Sequence, residues 1–222
     1  MIKRPAFFLV LLVCLPFPAL ADWPTEYCRN YIDQTLTFNR HNYLFGQTLN
    51  RYFLTSQGNA LILGSGAGND DITLVSKGWD VTSVDLCART GEVLAARSQG
   101  LKGGNQFIQG SFENADFSGN YQLVMSYYAL PFGNKNNLES VIAAVAKSSD
   151  VGAILSVNFF GYEHSYVKQQ VAYGVSLDEI TALLNRYHFN IEFHLNRIYD
   201  QPDASGENTH WDMIDIIAKK VA

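Results

Sequence analysis

The sequence predicts an α/β protein in which a mostly parallel, doubly wound sheet of about seven strands carries helices on both faces. Short apolar segments alternate with amphipathic segments of about ten residues, which is the pattern of β-α-β units. The last two apolar segments are separated by a polar loop alone. They are expected to pair antiparallel, because a parallel connection needs a crossover of a dozen or more residues. One reversed strand near the C-terminus is therefore predicted.

The individual elements are bounded by glycine, proline or polar residues. Strands are predicted at 60–63, 79–85, 106–108, 121–126, 152–160, 191–198 and 213–221. Helices are predicted within 24–55, with an interruption at 38–42, and then at 70–77, 90–99, 138–145 and after Ser176. Ser176 and Glu179 have the spacing of a capping box, which marks the start of that last helix. A polar loop is expected from Asp200 to Thr209.

The composition limits the class of protein. The chain has 222 residues, of which 47% are hydrophobic and 17% charged, so one globular domain is expected and a disordered chain is excluded. The net charge of −5 argues against nucleic acid or an anionic membrane surface as a partner. Three cysteines are too few for a small disulfide scaffold.

The first 21 residues predict a secretory signal peptide. Lys3 and Arg4 precede an apolar run at 6–15, and Ala19-Leu20-Ala21 supplies the small residues of a cleavage site. The run is shorter than the roughly 20 residues that span a bilayer, so no stable membrane span is expected after cleavage. The mature domain would then occupy residues 22–222 and be exported to the periplasm or secreted.

Cleavage would leave Cys28 and Cys87 as the two cysteines of the mature domain. They can pair in an oxidising compartment. Two isolated thiols are an equal alternative, because the sequence gives no distance between them.

A glycine-rich turn follows the first predicted strand. Gly64, Gly66 and Gly68 allow a tight turn and a close approach of ligand to the main chain. Asn69 stands where the dinucleotide fingerprint has its third glycine, and the Gly-Lys-Ser/Thr end of a P-loop is absent. Asp85 ends the second predicted strand, where a carboxylate can accept hydrogen bonds from both ribose hydroxyls. Loop and acid together indicate an adenosine-type ligand without a required pyrophosphate.

These residues resemble a known family. Residues 61–85, with Gly64-Ser65-Gly66-Ala67-Gly68 and the ending Asp80-Val81-Thr82-Ser83-Val84-Asp85, are similar to the first two motifs of class I S-adenosylmethionine-dependent methyltransferases. The branch resembled is the tellurite-resistance and thiopurine methyltransferase group. Weaker similarities follow at 121–132, 152–162 and 204–220. The resemblance implies a Rossmann-like fold, S-adenosyl-L-methionine as cofactor, and methyl transfer to a small molecule or, alternatively, to a protein side chain.

The resemblance also implies which residues bind the cofactor. The expected set is Gly64, Ser65, Gly66, Gly68, Asp85, Leu86, Ser111 and Phe112. In the family the glycines approach the methionine part of the cofactor, the acid holds the ribose, and the residue after the acid lies against the adenine. The N-terminal helical segment, residues 22–57, is expected to lie over this site.

Two positions depart from the family pattern. Ser111 stands where the family often has an acid for the adenine amino group, so that contact weakens or moves to Glu113. Gln122 stands where the fourth strand usually begins with an aspartate. Asn39-Arg40 could place a cation near the carboxylate of the cofactor. The alternative is that Arg40 is an ordinary surface residue.

Methyl transfer from a sulfonium is an in-line displacement, for which the protein mainly supplies alignment and desolvation, and no metal is expected. Six aromatic residues follow the fourth and fifth strands, where ligands bind in open α/β sheets: Tyr127, Tyr128, Phe132, Phe159, Phe160 and Tyr162. Singly, each fits core packing. As a set, they favour an apolar or aromatic small acceptor.

Tyr127 and His164 are the expected catalytic residues. His164, with Glu163 beside it, is placed to act as a general base if the acceptor arrives protonated. A structural role is the alternative for this histidine.

Two other functions were weighed from the sequence. The first is a catalytically degenerate, exported relative that keeps the fold as a binding module. The second, a nicotinamide oxidoreductase, is disfavoured because Asn69 stands in place of the third glycine of the dinucleotide fingerprint. The export signal conflicts with a cofactor that is made in the cytosol. Three resolutions are open: secretion into a compartment that holds the cofactor, such as a host cell; tethering with the domain facing the cytosol; or export with loss of the chemistry.

Overall fold

The computed structural model describes residues 25–38 and 41–222. The predicted signal peptide at 1–21 and the predicted cation at Asn39-Arg40 lie outside these ranges. Among the residues described, no helix combines the length and the apolar character needed to cross a membrane.

The helices and strands follow the predicted order. The strands are β1 (Asn59–Leu63), β2 (Asp80–Asp85), β3 (Asn105–Gln109), β4 (Tyr121–Ser126), β5 (Ser149–Phe160), β6 (Phe189–Pro202) and β7 (Asn208–Lys220). The helices are α1 (Thr25–Thr35), α2 (Tyr43–Tyr52), α3 (Asn69–Ser76), α4 (Ala88–Arg97), α5 (Leu138–Lys147), α6 (Ser165–Lys168) and α7 (Leu177–Arg186). Short 3₁₀ turns lie at Leu130–Phe132 and Lys135–Asn137. The capping box of Ser176 and Glu179 is present at the start of α7.

The seven strands lie in the order β3-β2-β1-β4-β5-β7-β6. β7 runs antiparallel to both of its neighbours, and the strands from β3 to β5 pair in parallel. This confirms the predicted doubly wound sheet with one reversed strand near the C-terminus. The chain winds outward from β1 to β3 and then returns to place β4 on the other side of β1. In such a sheet the connections that follow β1 and β4 run to opposite faces, and ligands bind in the crevice between them.

The β6–β7 hairpin is longer than the sequence pattern predicts. Pairing runs from Phe189 opposite Lys220 to Pro202 opposite Asn208, so half of the predicted polar loop at 200–209 is strand. The side chains of β6 alternate between half-buried and exposed along its length. Because polar residues occupy the exposed positions at its end, hydropathy alone stops the strand too early.

Helix α1 is fastened against α4 and the turn after β1. Cys28 and Cys87 form a disulfide, which decides between the two alternatives that the sequence left open. Around it, Ile32 packs in a buried cluster with Ala67 and Val93. Arg89 Nε lies 2.9 Å from Asp33 Oδ1 and adds an exposed ion pair between the two helices.

We expect the double variant Cys28→Ser/Cys87→Ser to be less stable than the oxidised protein by about 2–4 kcal/mol, because the cross-link limits the freedom of the unfolded chain. Urea unfolding of both proteins measures the difference. Adding a reductant to the wild type should reproduce the loss and leave the variant unchanged. Equal stability of the variant and the oxidised wild type would contradict the expectation.

Candidate active site

The turn after β1 touches the turn after β4. Gly64 has a φ of +83°, and a Cβ atom there would lie 2.2 Å from the Cβ of Ala129. Its N–H donates to the carbonyl of Val84 at 2.8 Å, which ties the turn to the end of β2. Glycine is required at this position because the exit of β4 occupies the space of any side chain.

Gly66 faces the open side of the same turn. Its φ is +54°, and a Cβ atom placed on it would meet no other atom within 4 Å. Its N–H donates to Asp85 Oδ2 at 2.8 Å. Bare main chain therefore adjoins open space beside a carboxylate, which is the arrangement expected where a ligand lies against the backbone. Gly68 differs, because a Cβ there would lie 2.4 Å from the Leu94 side chain of α4.

Asp85 stands at the carboxyl end of β2 and is held by two backbone groups. Oδ1 accepts from the N–H of Cys87 and Oδ2 from the N–H of Gly66, each at 2.8 Å. Burial raises the pKa of Asp85, and the two hydrogen bonds act against that rise. A carboxylate offers about four acceptor positions, so two remain for further donors such as ribose hydroxyls.

The residues expected near the adenine lie along the ends of β2 and β3. The Leu86 side chain is 39% exposed directly after Asp85. Phe112 brings its ring edge within 3.6 Å of the Cβ position of Gly64. The Ser111 hydroxyl accepts a hydrogen bond from Asn114. Glu113, the sequence alternative to Ser111, accepts instead from the backbone N–H of Asn134 at 3.3 Å.

Gln122 lies at the end of the sheet that is opposite the glycine turn. It stands near the amino end of β4, where its Oε1 accepts from the N–H of Asn59 at 2.7 Å and its Nε2 donates to Asp150. This departure from the family pattern therefore lies away from the turns that follow β1 and β4.

The Ser65 side chain fastens the glycine turn to the protein interior. Ser65 Oγ and Ser83 Oγ both donate to Asp71 Oδ1, at 2.9 and 2.5 Å. Asp71 is 1% exposed, and burial raises its pKa to about 7 despite these two hydrogen bonds. Ser65 thus stabilises the loop through its side chain and leaves its main chain beside the crevice.

Tyr127 anchors α2 to the sheet. Its hydroxyl lies 2.8 Å from Ser156 Oγ, which in turn lies 2.7 Å from Thr48 Oγ1 on α2. Burial strongly raises the pKa of this phenol. Tyr127 therefore stays neutral, and its hydroxyl is engaged in a hydrogen-bonded chain.

His164 is fully buried at the start of α6. Its Nδ1 accepts from the backbone N–H of Tyr166 at 3.1 Å, and its ring stacks on Phe160 with the centroids 3.8 Å apart. Burial lowers the pKa of His164 to about 4, so the ring is neutral at physiological pH. With Nδ1 accepting, the proton of the neutral ring is on Nε2, which has no partner among the described residues. This geometry suits a cap and a hydrogen-bond donor better than a base.

A second group of residues, largely missed by the sequence reasoning, lies beyond β4. Tyr128 has a φ of +54°, which is rare for a residue with a side chain, and its N–H donates to Asn158 Oδ1 at 2.7 Å. Asp215 on β7 stands opposite Asn158 and is fully buried. Arg197 on β6 binds it with two nitrogens, Nε to Oδ2 at 2.6 Å and Nη2 to Oδ1 at 3.0 Å.

Two aromatic rings complete this group. The Trp211 ring stands edge-on to Tyr128 with 5.6 Å between the centroids, and lies nearly parallel to Tyr199 at 6.1 Å. Only the aromatic character of Tyr128 was noticeable in the sequence. Arg197 and Asp215 are 18 residues apart in the sequence, so no local sequence pattern predicts that they pair.

The fold and the site define a class of protein. A doubly wound sheet with a glycine turn after β1, an acid after β2 and a reversed final strand is the architecture of class I S-adenosylmethionine-dependent methyltransferases. Within that class, the profile of the family described as tellurite resistance protein TehB matches residues 37–179. The chain belongs to this family, which confirms the predicted family, enzyme class and cofactor.

Solved structures share the fold at low sequence identity. TehB from Haemophilus influenzae superposes with a TM-score of 0.67 at 16% identity, over 87% of this chain and 67% of that one. A TehB-like S-adenosylmethionine-dependent methyltransferase from Corynebacterium glutamicum gives 0.62 at 13% identity, over 88% and 97%. The 1,6-didemethyltoxoflavin-N1-methyltransferase of Burkholderia thailandensis, with that compound and S-adenosylhomocysteine bound, gives 0.64 at 15% identity, over 89% and 87%. A comparison with curated proteins gives no match.

The buried Asp71 predicts a pH-dependent stability. Its pKa is about 7 in the folded protein against 3.8 for the unperturbed carboxyl, so the folded state binds the extra proton between these values and stability falls as the pH rises. Between pH 5 and pH 8 we expect the wild type to lose about 2–3 kcal/mol more than Asp71→Asn. Denaturant unfolding at both pH values measures this difference, and parallel losses in the two proteins would refute it.

Proposed function

We propose that the chain transfers the methyl group of S-adenosylmethionine to a small-molecule acceptor at the carboxyl edge of β1, β4 and β5. The observation that carries this proposal is the contact between Gly64 and Ala129. The glycine turn, with Asp85 and Leu86, forms the side on which the methyl donor would bind, called here the donor side. The contact sets this turn directly against the exit of β4, where the side that would bind the acceptor, called here the acceptor side, begins. Donor and acceptor groups held on the two sides would therefore meet over the same crevice.

The residues on the donor side fit the cofactor. Asp85 keeps two acceptor positions beside the open face of Gly66, and Leu86 exposes an apolar side chain next to them. We assign ribose binding to Asp85, contact with the adenine to Leu86 and Phe112, and main-chain contact with the methionine part to 64–68. S-adenosylmethionine, when bound, supplies a methyl group that its sulfonium already activates.

On this proposal the protein acts by alignment and desolvation. His164 and Tyr127 contribute as positioning residues, because His164 caps α6 as a neutral ring and Tyr127 joins α2 to the sheet. Neither side chain takes a proton at neutral pH in this arrangement. The acceptor atom would therefore carry an available lone pair when it binds.

A small acceptor is favoured over a protein side chain by the aromatic residues that follow β4 and lie on the neighbouring hairpin. Tyr128 and Tyr199 both contact Trp211 there, with ring centroids 5.6 and 6.1 Å apart. Aromatic side chains at the carboxyl edge of the sheet favour an apolar or aromatic small molecule. Cofactor binding without transfer to any small acceptor would favour the alternative, an exported binding module on the same fold.

Asp85 provides the test of the donor side. We expect Asp85→Asn to weaken S-adenosylmethionine binding by about 10- to 100-fold, because an uncharged amide accepts ribose hydroxyls less strongly. Isothermal titration calorimetry measures the affinity. Asp80→Asn is the matched control, because Asp80 begins the same strand and also accepts a backbone N–H, at 2.8 Å from Gly104. Absence of binding to the wild type, or equal binding by both variants, would contradict the proposal.

We also propose that the mature domain is exported. The charge, the apolar run and the small residues of 1–21 support this, and so does the Cys28–Cys87 disulfide, since such bonds persist mainly in oxidising compartments.

Cell fractionation with mass spectrometry of the N-terminus is the corresponding experiment. The expected product begins near Asp22 and lies outside the cytosol. An intact Met1 in the cytosolic fraction would overturn the proposal.

A further inference from the structure

Helix α4 packs against the glycine turn and binds its main chain. We propose that Thr90, in the first turn of this helix, is a positioning residue for the cofactor: its hydroxyl holds Gly66, and Gly66 in turn holds the carboxylate of Asp85 for the ribose. This rests on the proposed function, because it concerns the donor side of the same site.

No side chain fixes the conformation of Gly66. Its φ is +54°, and a Cβ atom placed on it would meet no other atom within 4 Å. Glycine has the widest choice of backbone conformations and loses the most conformational freedom on folding. The conformation of Gly66 therefore depends on the groups that its N–H and its carbonyl bind.

Both of these groups are bound. The N–H of Gly66 donates to Asp85 Oδ2, and its carbonyl accepts from Thr90 Oγ1, each at 2.8 Å. The first bond restrains the peptide unit before the Cα atom, and the second restrains the peptide unit after it. Without the Thr90 hydroxyl, the carbonyl would be free to rotate and Asp85 alone would hold the residue.

Thr90 lies at the junction of the two segments that bind Asp85. It is fully buried, and its hydroxyl bonds a carbonyl 24 residues away in the sequence instead of one in its own helix. Its N–H donates to the carbonyl of Cys87 at 3.0 Å, and the N–H of Cys87 is the second donor to Asp85. One residue therefore contacts both main-chain segments that hold the carboxylate.

Other residues of α4 bind the same turn. Arg97 Nη1 donates to the carbonyl of Ala67 and to Asn69 Oδ1, each at 2.8 Å. The carbonyls of Gly66 and Ala67, two consecutive residues, are thus both bound by side chains of this helix. Thr90 supplies the contact at the residue that donates to Asp85.

The charge of Asp85 makes the hold on Gly66 important. Burial raises the pKa of Asp85, and the N–H of Gly66 is one of the two groups that oppose this rise. A Gly66 that samples other conformations would oppose it less. The carboxylate would then be a weaker and less well oriented acceptor for the ribose hydroxyls.

Two matched pairs of proteins isolate the hydroxyl of Thr90. Thr90→Val replaces it with a methyl group of similar size, while Thr90→Ala and Thr90→Ser differ from each other in the hydroxyl alone. We expect S-adenosylmethionine to bind about five- to tenfold more weakly to Thr90→Val than to the wild type, and to Thr90→Ala than to Thr90→Ser, which is the effect of one hydrogen bond. Isothermal titration calorimetry on the purified full chain measures the affinities. The second pair keeps the test decisive if Thr90→Val fails to fold.

A double variant tests the route through Asp85. In the Asp85→Asn background, we expect Thr90→Val to weaken binding by less than about twofold, because changes to residues in one hydrogen-bonded network are not additive. Full additivity of the two losses would show that Thr90 does not act through Asp85.

Thr35→Val is the matched control. Thr35 is also buried, and its hydroxyl donates to a main-chain carbonyl, that of Tyr31 in α1, at 2.8 Å. Urea unfolding should show a loss of stability in both Thr35→Val and Thr90→Val. Only Thr90→Val should lose affinity for S-adenosylmethionine, which separates positioning from a general loss of stability.

Hydrogen exchange in the cofactor-free protein separates this proposal from the proposed function. By NMR, the Gly66 N–H should exchange about fivefold faster in Thr90→Val than in the wild type or in Thr35→Val, because the residue opens more often. Absence of S-adenosylmethionine binding to the wild type would defeat the proposed function, while the exchange rate still decides whether Thr90 holds Gly66. Equal affinities within either matched pair, or an unchanged exchange rate, would overturn the positioning role.

Discussion

The close contact between the turns after β1 and β4 is the constraint on which the rest of the site depends. The chain reverses its winding between these two strands, so the connections that follow them run to opposite faces of the sheet. Gly64 allows the Ala129 side chain to occupy the space of its missing Cβ. The glycine turn is thereby in contact with the exit of β4, where the proposed acceptor site begins. Gly66, two residues on, turns its open face to the crevice and holds Asp85 through its N–H.

The donor side is stabilised from beneath and from above. Beneath the turn, the buried carboxyl of Asp71 takes hydrogen bonds from Ser65 and Ser83, which oppose the rise in its pKa that burial causes. Above it, α1 is fixed by the Cys28–Cys87 disulfide, whose second cysteine lies two residues beyond Asp85. A binding turn that is already held in its folded conformation loses little entropy on meeting a ligand. Under the proposed function, both supports would favour binding of the cofactor.

The group of residues beyond β4, where the acceptor is proposed to bind, is held in a different way. Two buried polar side chains, Asn158 and Asp215, stand opposite each other on β5 and β7, and each positions a residue at the surface. Asn158 holds the strained backbone of Tyr128, and Asp215 holds the guanidinium of Arg197. The reversed strand β7 matters here, since it brings the long hairpin of β6 and β7 beside β5 and supplies Trp211 to the edge.

The sequence by itself determined the order of the elements, the reversed final strand, the glycine turn and the acid after β2, because each of these depends on residues that are neighbours along the chain. Only the tertiary structure decided the pairing of Cys28 with Cys87, the burial that keeps His164 neutral, and the group formed by Tyr128, Asn158, Arg197 and Asp215. The end of β6 was also decided there, since its exposed polar residues resemble a loop until β7 pairs with them. The physical reason is common to all of these features: contacts between distant segments set burial and hydrogen bonding, and local patterns carry no record of them.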